Sequence, residues 1–389
     1  MISATRLSAA TAAVNVLSNH PDITHWALRY FGPWWKATTV AEADVRVAEA
    51  VVLANVDKAA YDETTLLVQD GRPTDTVDYA KHPMLVARDG DDIIATSPDE
   101  DIAYRSTPST GLLTLAGIDP PALALAAARL ARESIRGQLL RAGWAVLHAS
   151  AVVREADGAT VLTFGDKGAG KTTTALLLAA HGWQLLANDR VLVRPLGESG
   201  VEVLPWPSAA ALGLGLLHAL GWDTHARGHL RGGGHFHPTQ HPSVTQALLD
   251  GSHEPLWDQK GKEKKVQVFP DQFPALFGVP LATGGRAAAL LFPQVDPDAA
   301  PDAVDAARAL GAADFMSGAT EDRYPDVFEL AQGVDGGGRD GVRTEVAMRL
   351  AGLPHHAVRL NHDIPAGAAL LSEIADAVNS VGVAGVGES

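Results

Sequence analysis

The stretch VLTFGDKGAGKTTTALLLAAHGW, residues 161–183, constrains the fold of this chain more than any other segment. An apolar run leads into a turn with three glycines, and a second apolar run without glycine extends from Lys171 to His181. Glycines let the backbone enter the left-handed conformations that a tight turn requires. The order predicts a buried strand, a glycine-rich turn and a helix that ends near Gly182.

The turn is Gly165-Asp166-Lys167-Gly168-Ala169-Gly170-Lys171-Thr172, and it matches the pattern G-x-x-x-x-G-K-[ST] at every position. Main-chain N–H groups of such a turn, and the positive end of the following helix, face the phosphates of a nucleotide. In this pattern the lysine reaches the β- and γ-phosphates and the hydroxyl residue holds Mg²⁺. We therefore expect residues 165–172 and Thr173 to bind a nucleotide, with Lys171 catalytic and Thr172 a metal ligand. The alternative is a plain strand–turn–helix joint, for which Lys-Thr-Thr would be an unusual choice.

The composition limits the partners and the chemistry that a protein with such a phosphate site can have. The chain of 389 residues has 46 acidic and 31 basic residues, a net charge of −15, and no cysteine. Nucleic acid and anionic membranes bind basic surfaces, so neither is expected as a partner. The absence of cysteine excludes disulfides, thiolate catalysis and cysteine zinc sites. The N-terminal segment lacks the apolar core of a signal peptide, and the apolar stretch 208–222 is too short to span a bilayer, so we expect a cytoplasmic protein.

The rest of the chain predicts two domains and a connecting helix. Residues 1–118 alternate short apolar runs with Asp-Gly turns, which predicts an N-terminal α+β domain. Residues 119–143 predict a linking helix, with Asp119 as N-cap and Gly143 just past its end. Residues 144–379 predict an α/β catalytic domain with a mixed sheet, since a hairpin (144–154 and 159–164) precedes the glycine turn. Within it we expect a loop at 224–242, a strand at 286–295, and helices at 301–313 and 366–378, before a flexible tail at 380–389.

The glycine turn, the preceding VLHASAV and the following GWQLLANDRVLV resemble the C-terminal catalytic domain of HPr kinase/phosphorylase. The resemblance is closer to the smaller HPr kinase-related proteins often associated with peptide natural-product pathways. It covers roughly residues 139–215 and continues faintly as far as LPHHAVRL. It implies a P-loop kinase fold related to phosphoenolpyruvate carboxykinases, and phosphoryl transfer from a nucleotide to a hydroxyl group.

By motif position, the resemblance implies that His148 is catalytic and that Asp189 accepts the proton of the acceptor hydroxyl. Asp189 is also an expected metal ligand. The family's first aspartate is Asn188 here, and its His-Gly is His148-Ala149. The glycine-rich EIRGLG-like segment of the bifunctional enzymes is absent, which leaves HPr as acceptor, the reverse reaction and a hexamer without support.

Other residues are weaker candidates for contact with the substrate. Asn188 and Arg286 are such candidates, as are Lys264 and Lys265, which with Lys262 form the densest basic cluster of the chain. A solvated hairpin face is the alternative for the lysines. A second cluster comprises His225, His229, His235, His237 and His241. It indicates a flexible polar loop, with a substrate lid or a metal site as further alternatives.

Together these patterns predict an ATP- and Mg²⁺-dependent kinase that phosphorylates a Ser or Thr hydroxyl of a peptide or protein. ATP is favoured over GTP because the chain lacks an Asn-Lys-x-Asp motif. Two alternatives stay open: a kinase of a small hydroxylated metabolite such as an amino acid, sugar or nucleoside, and a non-catalytic NTP-binding regulatory module. The sequence also leaves open whether the protein forms a homo-oligomer.

Overall fold

The structure is a computed structural model that describes residues 2–45, 49–70, 73–316 and 324–378. The chain forms two compact units, each of mixed α/β structure with a mixed sheet. The first unit comprises Met1–Val146 and Met316–Arg343, and the second comprises Leu147–Phe315 and Thr344–Ser389. The chain therefore passes from one unit to the other three times.

Among the residues that the structure describes, the first unit combines a nine-stranded sheet with three complete α-helices. In chain order its elements are β1 (Ser3–Ala9), β2 (Ala12–Ser18), α1 (Pro21–Trp35), β3 (Thr38–Val40), β4 (Ala50–Val56), α2 (Lys58–Gln69), β5 (Asp75–Tyr79), β6 (His82–Asp89), β7 (Asp92–Ser97), β8 (Ile102–Thr107), β9 (Leu112–Gly117) and α3 (Pro120–Arg141). The sheet order is β3-β1-β2-β4-β9-β8-β7-β6-β5, in which the β2–β4 and β4–β9 pairs are parallel and the other pairs are antiparallel.

Helix α3 is part of the core of the first unit. It begins where predicted, because the Asp119 side chain accepts a hydrogen bond from Ala122 N at 3.0 Å, and Gly143 follows its end with φ +84°. It packs on α1, β2, β4 and β9. At Gly137 a Cβ atom would collide with the main chain of Leu330, so only glycine allows this close approach.

The segment that returns to the first unit completes this core. The Phe328 ring is fully buried and lies 5.6 Å from the Tyr104 ring and 5.8 Å from the Tyr79 ring, centroid to centroid. These units differ from the predicted domains: the helix at 119–143 belongs to the first unit and does not stand between two domains, and residues 144–146 and 316–343 belong with it. The predicted tail, 380–389, lies outside the described residues.

The second unit is built on a sheet with the order β14-β15-β20-β12-β11-β13, and β22 pairs with the second half of β20. Strand β10 (Ala145–Leu147) carries the chain into this unit, and α9 (Asp340–Ala351) carries it in for the second time. The remaining elements are β11 (Ser150–Val153), β12 (Ala159–Thr163), α4 (Lys171–Ala180), β13 (Gln184–Ala187), β14 (Val191–Leu196), β15 (Gly200–Pro205), β16 (Ala210–Leu212), α5 (Leu214–Ala219), α6 (Asp223–Arg231), α7 (Pro242–Asp250), β17 (Leu256–Trp257), β18 (Glu263–Lys264), β19 (Val266–Val268), α8 (Gln272–Phe277), β20 (Gly285–Val295), β21 (Asp302–Val304), β22 (His355–Leu360) and α10 (Ile364–Ala377).

The predicted hairpin is present as β11 and β12, joined by a turn at residues 154–158. Gly158 has φ +71°, and the Asp157 carboxylate pairs with Arg154 at 2.8 Å while it accepts Ala159 N at 3.1 Å. Strand β12 is buried along its whole length because β11 and β20 flank it and α4 covers it. The mixed sheet and the strand–turn–helix order around the glycines are therefore as predicted.

Two predicted elements are wrong and two are confirmed. Residues 301–313 do not form a helix: Asp302–Val304 form β21, an antiparallel partner of β22, so pairing with the sheet overrides the helical propensity of the alanines. Residues 224–242 are not one loop, since α6 and the first residue of α7 occupy much of the stretch. The strand at 286–295 and the helix at 366–378 are confirmed as β20 and α10. Among the described residues, no helix is both long enough and apolar enough to cross a membrane.

Candidate functional site

Three segments that carry predicted site residues meet at one edge of the sheet of the second unit: the residues before β11, those after β12 and those after β13. Strand β11 is antiparallel to both β12 and β13, so β12 and β13 run parallel and end at the same edge. In the register, Ser150 lies opposite Thr163, and Ala151 lies opposite Ala187. The glycine loop (residues 165–172) follows β12, and Asn188-Asp189 follow β13. The carboxyl ends of parallel strands are where α/β sheets bind ligands.

The glycine loop turns tightly because three of its residues have positive φ: +150° at Gly165, +91° at Gly168 and +101° at Gly170. A Cβ at Gly165 would lie 2.8 Å from the Ala169 Cβ, and a Cβ at Gly170 would lie 3.1 Å from a methyl group of Val295. A hydrogen bond of 3.1 Å from Ala169 N to the Asp166 carbonyl closes the turn. Glycine is therefore required both for the conformation and for the space.

Helix α4 begins at Lys171, with Gly170 as its N-cap. Gly170 offers no side chain to cap the helix, and no acidic residue stands in the first turn. The first N–H groups of a helix have no partner inside it, and the helix dipole adds positive charge there. Thr172 and Thr173 belong to this first turn, which therefore attracts an anion.

The Lys171 ammonium group folds back over the loop. Its Nζ donates hydrogen bonds to the carbonyl oxygens of Gly165 at 2.6 Å and Asp166 at 3.2 Å. These two acceptors are neutral main-chain oxygens that belong to the loop itself. A phosphate placed in the loop would compete for the same ammonium group with a charge-assisted hydrogen bond.

Hydrogen bonds to Asn188 connect the glycine loop with β11 and with Ser208, which lies two residues before β16. Its carbonyl oxygen accepts hydrogen bonds from Thr172 Oγ1 at 3.2 Å and from Ser150 Oγ at 2.7 Å. Its side-chain oxygen accepts one from Ser208 Oγ at 3.2 Å. Asn188 is buried, and its hydrogen bonds hold residues 188–189 in place next to the glycine loop. Sequence reasoning missed Ser150 and Ser208, and only the nearness of Ser150 to His148 could have pointed to the first of them.

Asp189, the next residue, has an exposed carboxylate. Its side chain is 53% exposed, and one of its oxygens lies 3.8 Å from Arg190 Nε. Asn188, the residue before Asp189, accepts a hydrogen bond from Thr172 of the loop through its main-chain carbonyl. Asp189 therefore lies close to the loop along the chain. The predicted metal ligands Thr172 and Asp189 are thus brought to the same edge.

His148 lies at this edge because it precedes β11, which begins opposite the last residue of β12. It is half-buried and lies two residues before Ser150. Its main-chain N–H donates to the Asp314 carbonyl at 2.8 Å. The Asp314 carboxylate is buried and makes two hydrogen bonds with Arg308, of 2.7 and 2.6 Å. Sequence reasoning missed Asp314 and Arg308, which are about 160 residues away from His148 and carry no motif.

The remaining predicted substrate residues lie on other parts of the second unit. Arg286 lies opposite Ala159 and Glu202, at the start of β12, and its main-chain N–H donates to the Gly158 carbonyl. This is the far end of the strand, about 13 Å from its carboxyl end at ~3.3 Å per residue. Lys264 lies in the small β17–β18 sheet, and Lys265 pairs with Glu263 at 3.2 Å.

The histidine cluster has structural partners. His229 Nε2 contacts the Gln272 amide at 3.1 Å and the His235 carbonyl at 3.2 Å. His237 bonds to the Thr239 hydroxyl at 2.8 Å, and His241 caps α7 by accepting Ser243 N at 3.1 Å. In the described part of the chain, no three His, Asp or Glu residues are grouped so that they could hold a metal ion.

No protein-family model matches the chain, and no curated protein matches it. The resemblance to HPr kinase-related proteins therefore stays a prediction that depends on the motifs. A functional assignment therefore depends on the geometry of this edge of the sheet.

Proposed function

We propose that the second unit is a P-loop kinase domain of the HPr kinase type, which uses ATP and Mg²⁺ to phosphorylate a Ser or Thr hydroxyl of a peptide or protein. The observation that carries the proposal is the hydrogen bond between Thr172 Oγ1 and the Asn188 carbonyl. It joins the glycine loop to Asn188, and the residue after Asn188 is Asp189, whose carboxylate is exposed. A kinase needs a phosphate cradle and a carboxylate near the acceptor hydroxyl, and this edge supplies both.

The residues of the glycine loop fit a nucleotide's phosphates. Three glycines with positive φ turn the main chain tightly, and the loop packs so closely that Gly165 and Gly170 leave no room for a Cβ. In the proposed complex, the Lys171 ammonium group exchanges its hydrogen bonds to two loop carbonyls for hydrogen bonds to phosphate oxygens. The hydroxyl of Thr172 and the carboxylate of Asp189 are oxygen ligands of the kind that Mg²⁺ prefers. When bound, Mg²⁺ would neutralise charge on the β- and γ-phosphates.

In the proposed reaction Asp189 orients the acceptor hydroxyl and takes its proton. A bond forms between the acceptor oxygen and the γ-phosphorus, while the bond from that phosphorus to the β–γ bridging oxygen breaks. ADP leaves with the electrons of that bond, and Lys171 and the loop N–H groups hold its phosphates. Catalysis is then mainly positioning and electrostatic stabilisation.

Asn188 has a different role from the family aspartate whose place it takes. Its side-chain oxygen is engaged with Ser208 and its carbonyl with Thr172 and Ser150. These bonds favour a structural role, in which Asn188 fixes the direction of Asp189. A single carboxylate at this edge would then serve both the metal ion and the acceptor.

The test measures ADP release by the full chain with Mg²⁺ and ATP, with and without acceptors. Serine- and threonine-containing peptides form one set of acceptors, and serine, a sugar and a nucleoside form the other, with mass spectrometry to detect the added phosphoryl group. Asp189→Asn should keep its affinity for ATP within a few-fold but lose about 10²–10⁴-fold in turnover. Asp157→Asn, a carboxylate at the opposite end of β12, is the control.

The outcomes separate the candidate functions. Phosphorylation of the small molecules alone would assign a metabolite kinase. Nucleotide binding with no turnover on any acceptor would favour the non-catalytic module. Full turnover by Asp189→Asn would remove Asp189 from the mechanism, and failure of the unaltered protein to bind ATP would overturn the proposal.

A further inference from the structure

A cation outside the glycine loop is held at the same edge of the sheet. Arg308 lies after β21, and its Nη1 and Nη2 donate to the two carboxylate oxygens of Asp314 at 2.7 and 2.6 Å. Asp314 is buried and also accepts Gly311 N at 2.8 Å. An arginine bonded in this two-pronged way to a buried carboxylate has a fixed orientation.

Aromatic contacts place this cation next to the glycine loop. The Arg308 guanidinium lies 5.4 Å from the centre of the Phe292 ring. Phe292 stacks on Phe164, with ring centroids 5.9 Å apart, and Phe164 is the residue immediately before Gly165. The Arg308 pKa is raised above its ordinary value, first by the hydrogen bonds to Asp314 and also by the charges of Asp314 and of Asp166 in the loop.

One edge of the guanidinium is left for a ligand. Arginine has five N–H donors. Nη1 uses its two on Asp314 and on the Ala309 carbonyl, at 3.1 Å, and Nη2 uses one on Asp314. Nε–H and the second hydrogen of Nη2 make no hydrogen bond with the residues that the structure describes, and the side chain is 45% exposed. Two adjacent N–H groups match two oxygens of a phosphate.

We propose that Arg308 is a further catalytic residue whose free edge binds the terminal phosphate of the nucleotide held in the glycine loop. This inference depends on the proposed function. Arg308 would then contact ATP through its γ-phosphate and ADP hardly at all, and would stabilise the charge on the phosphoryl group during transfer. Asp314 is its positioning residue, and the bond from His148 N to the Asp314 carbonyl ties this segment to β11.

The role predicts a difference between two nucleotides that a purely structural ion pair would not produce. The dissociation constants of ADP and of the non-hydrolysable β,γ-imido analogue of ATP are measured with Mg²⁺ by calorimetry, together with turnover. Arg308→Gln should weaken the ATP analogue about tenfold, leave ADP within twofold, and lower turnover about 10²–10³-fold. Arg308→Lys should recover the charge but not the paired hydrogen bonds, and so restore turnover only in part.

Two further variants guard against a loss of folding. Arg308→Gln leaves the buried Asp314 carboxylate without its partner, so the double variant Arg308→Gln, Asp314→Asn removes that charge as well. Arg194→Gln is the matched control, because Arg194 is also paired with a carboxylate, Glu202 at 2.6 Å, and lies on β14 in the same unit. Its two nucleotide affinities and its turnover should match those of the unaltered protein.

The outcomes distinguish this inference from the proposed function. If the double variant loses the preference for the ATP analogue as Arg308→Gln does, the inference is supported. If both variants keep the preference and the turnover, or the double variant recovers them, Arg308 does not bind the terminal phosphate. A protein that binds both nucleotides but shows no effect of Arg308 overturns this inference alone, whereas one that binds neither overturns the proposed function and the inference with it.

Discussion

Helix α3 of the first unit and the glycine loop of the second unit use charged side chains in different ways. In the first unit, α3 carries Arg132, Glu133 and Arg136, all of which are buried. Glu133 pairs with Arg132 Nε at 3.3 Å and with Arg136 Nε at 2.8 Å. In the second unit, Lys171 bonds to main-chain carbonyls and Asp189 is half-exposed.

This difference distinguishes charged side chains that stabilise the fold from charged side chains that can bind a ligand. A buried charge that is satisfied by opposite charges is costly to change, because removing one partner strands the other. A cation that donates hydrogen bonds to main-chain carbonyls can transfer those hydrogen bonds to an incoming anion. Charge in the sequence alone does not distinguish the two cases, whereas the partners do.

The largest effect is expected from Glu133→Gln, which breaks the buried network of α3. Two buried guanidinium groups would lose their shared carboxylate, so we expect a loss of about 3–5 kcal/mol in the free energy of unfolding. Urea denaturation measures it. Asp62→Asn is the control, because the Lys58–Asp62 pair is exposed and should change stability by less than about 0.5 kcal/mol. Equal effects of the two variants would contradict the contrast between buried and exposed charges.

The next effect is expected from Lys171→Ala, and it should appear in activity and not in stability. In the proposed reaction, loss of the ammonium group removes its interaction with the transferred phosphate, so kcat/KM should fall by about 10²–10³-fold. The thermal midpoint without nucleotide should stay nearly unchanged, since the hydrogen bonds from Lys171 to the carbonyls of Gly165 and Asp166 lie within one loop. Lys260→Ala, an exposed lysine between β17 and β18, is the control. A large loss of stability in Lys171→Ala would show that this lysine serves the fold.

A smaller effect is expected when the glycine loop itself is altered. Gly170→Ala would combine a φ of +101° with a contact of 3.1 Å to Val295, whereas Gly168→Ala would have a φ of +91° and open space around its Cβ. We expect Gly170→Ala to cost about 1–3 kcal/mol in stability and Gly168→Ala less, because the second carries only the backbone strain. Both are measured by urea denaturation, and the reverse order would contradict the described loop geometry.

The smallest effect concerns His356 on β22, a partly buried group of the second unit. Burial lowers its pKa below the ordinary value of 6.5, and the nearby His355 lowers it further. The unfolded chain therefore takes up the proton first, so this contribution to stability is complete above pH 6.5 and is lost as the pH falls through the lower folded-state pKa. His356→Gln should flatten the fall of the thermal midpoint below pH 6.5, and His225→Gln, on α6, should not. An unchanged pH profile in His356→Gln would contradict the prediction.

Local signals in the sequence gave reliable predictions. The glycine turn, the cap at Asp119, the Asp-Gly turn of the β11–β12 hairpin and the apolar strand β20 each depend on a few neighbouring residues. Their structure follows from backbone preferences and burial that act over short distances. The interest in Asp189 came instead from its motif position in the family resemblance, and the strand pairing shows that it lies at the same edge of the sheet as Thr172.

What the sequence could not show depends on contacts between distant segments. The bonds from Arg308 to Asp314 and from Ser208 to Asn188 have no local signature. Arg286 stands at the start of a buried strand, and only the parallel register with β12 shows that this is the end away from the glycine loop. Residues 301–313 are rich in alanine, but an edge pairing with β22 decided their structure.

The interrupted path of the chain sets the order in which the protein can be completed during synthesis. The ribosome makes residues 147–315 before it makes Phe328 and Leu330, which pack against Tyr104 and Gly137 of the earlier segment. The core of the first unit therefore stays incomplete while most of the second unit is synthesised. A fragment that ends at residue 143 would lack these late residues permanently, so dissection of this protein requires a loop deletion and not a simple truncation.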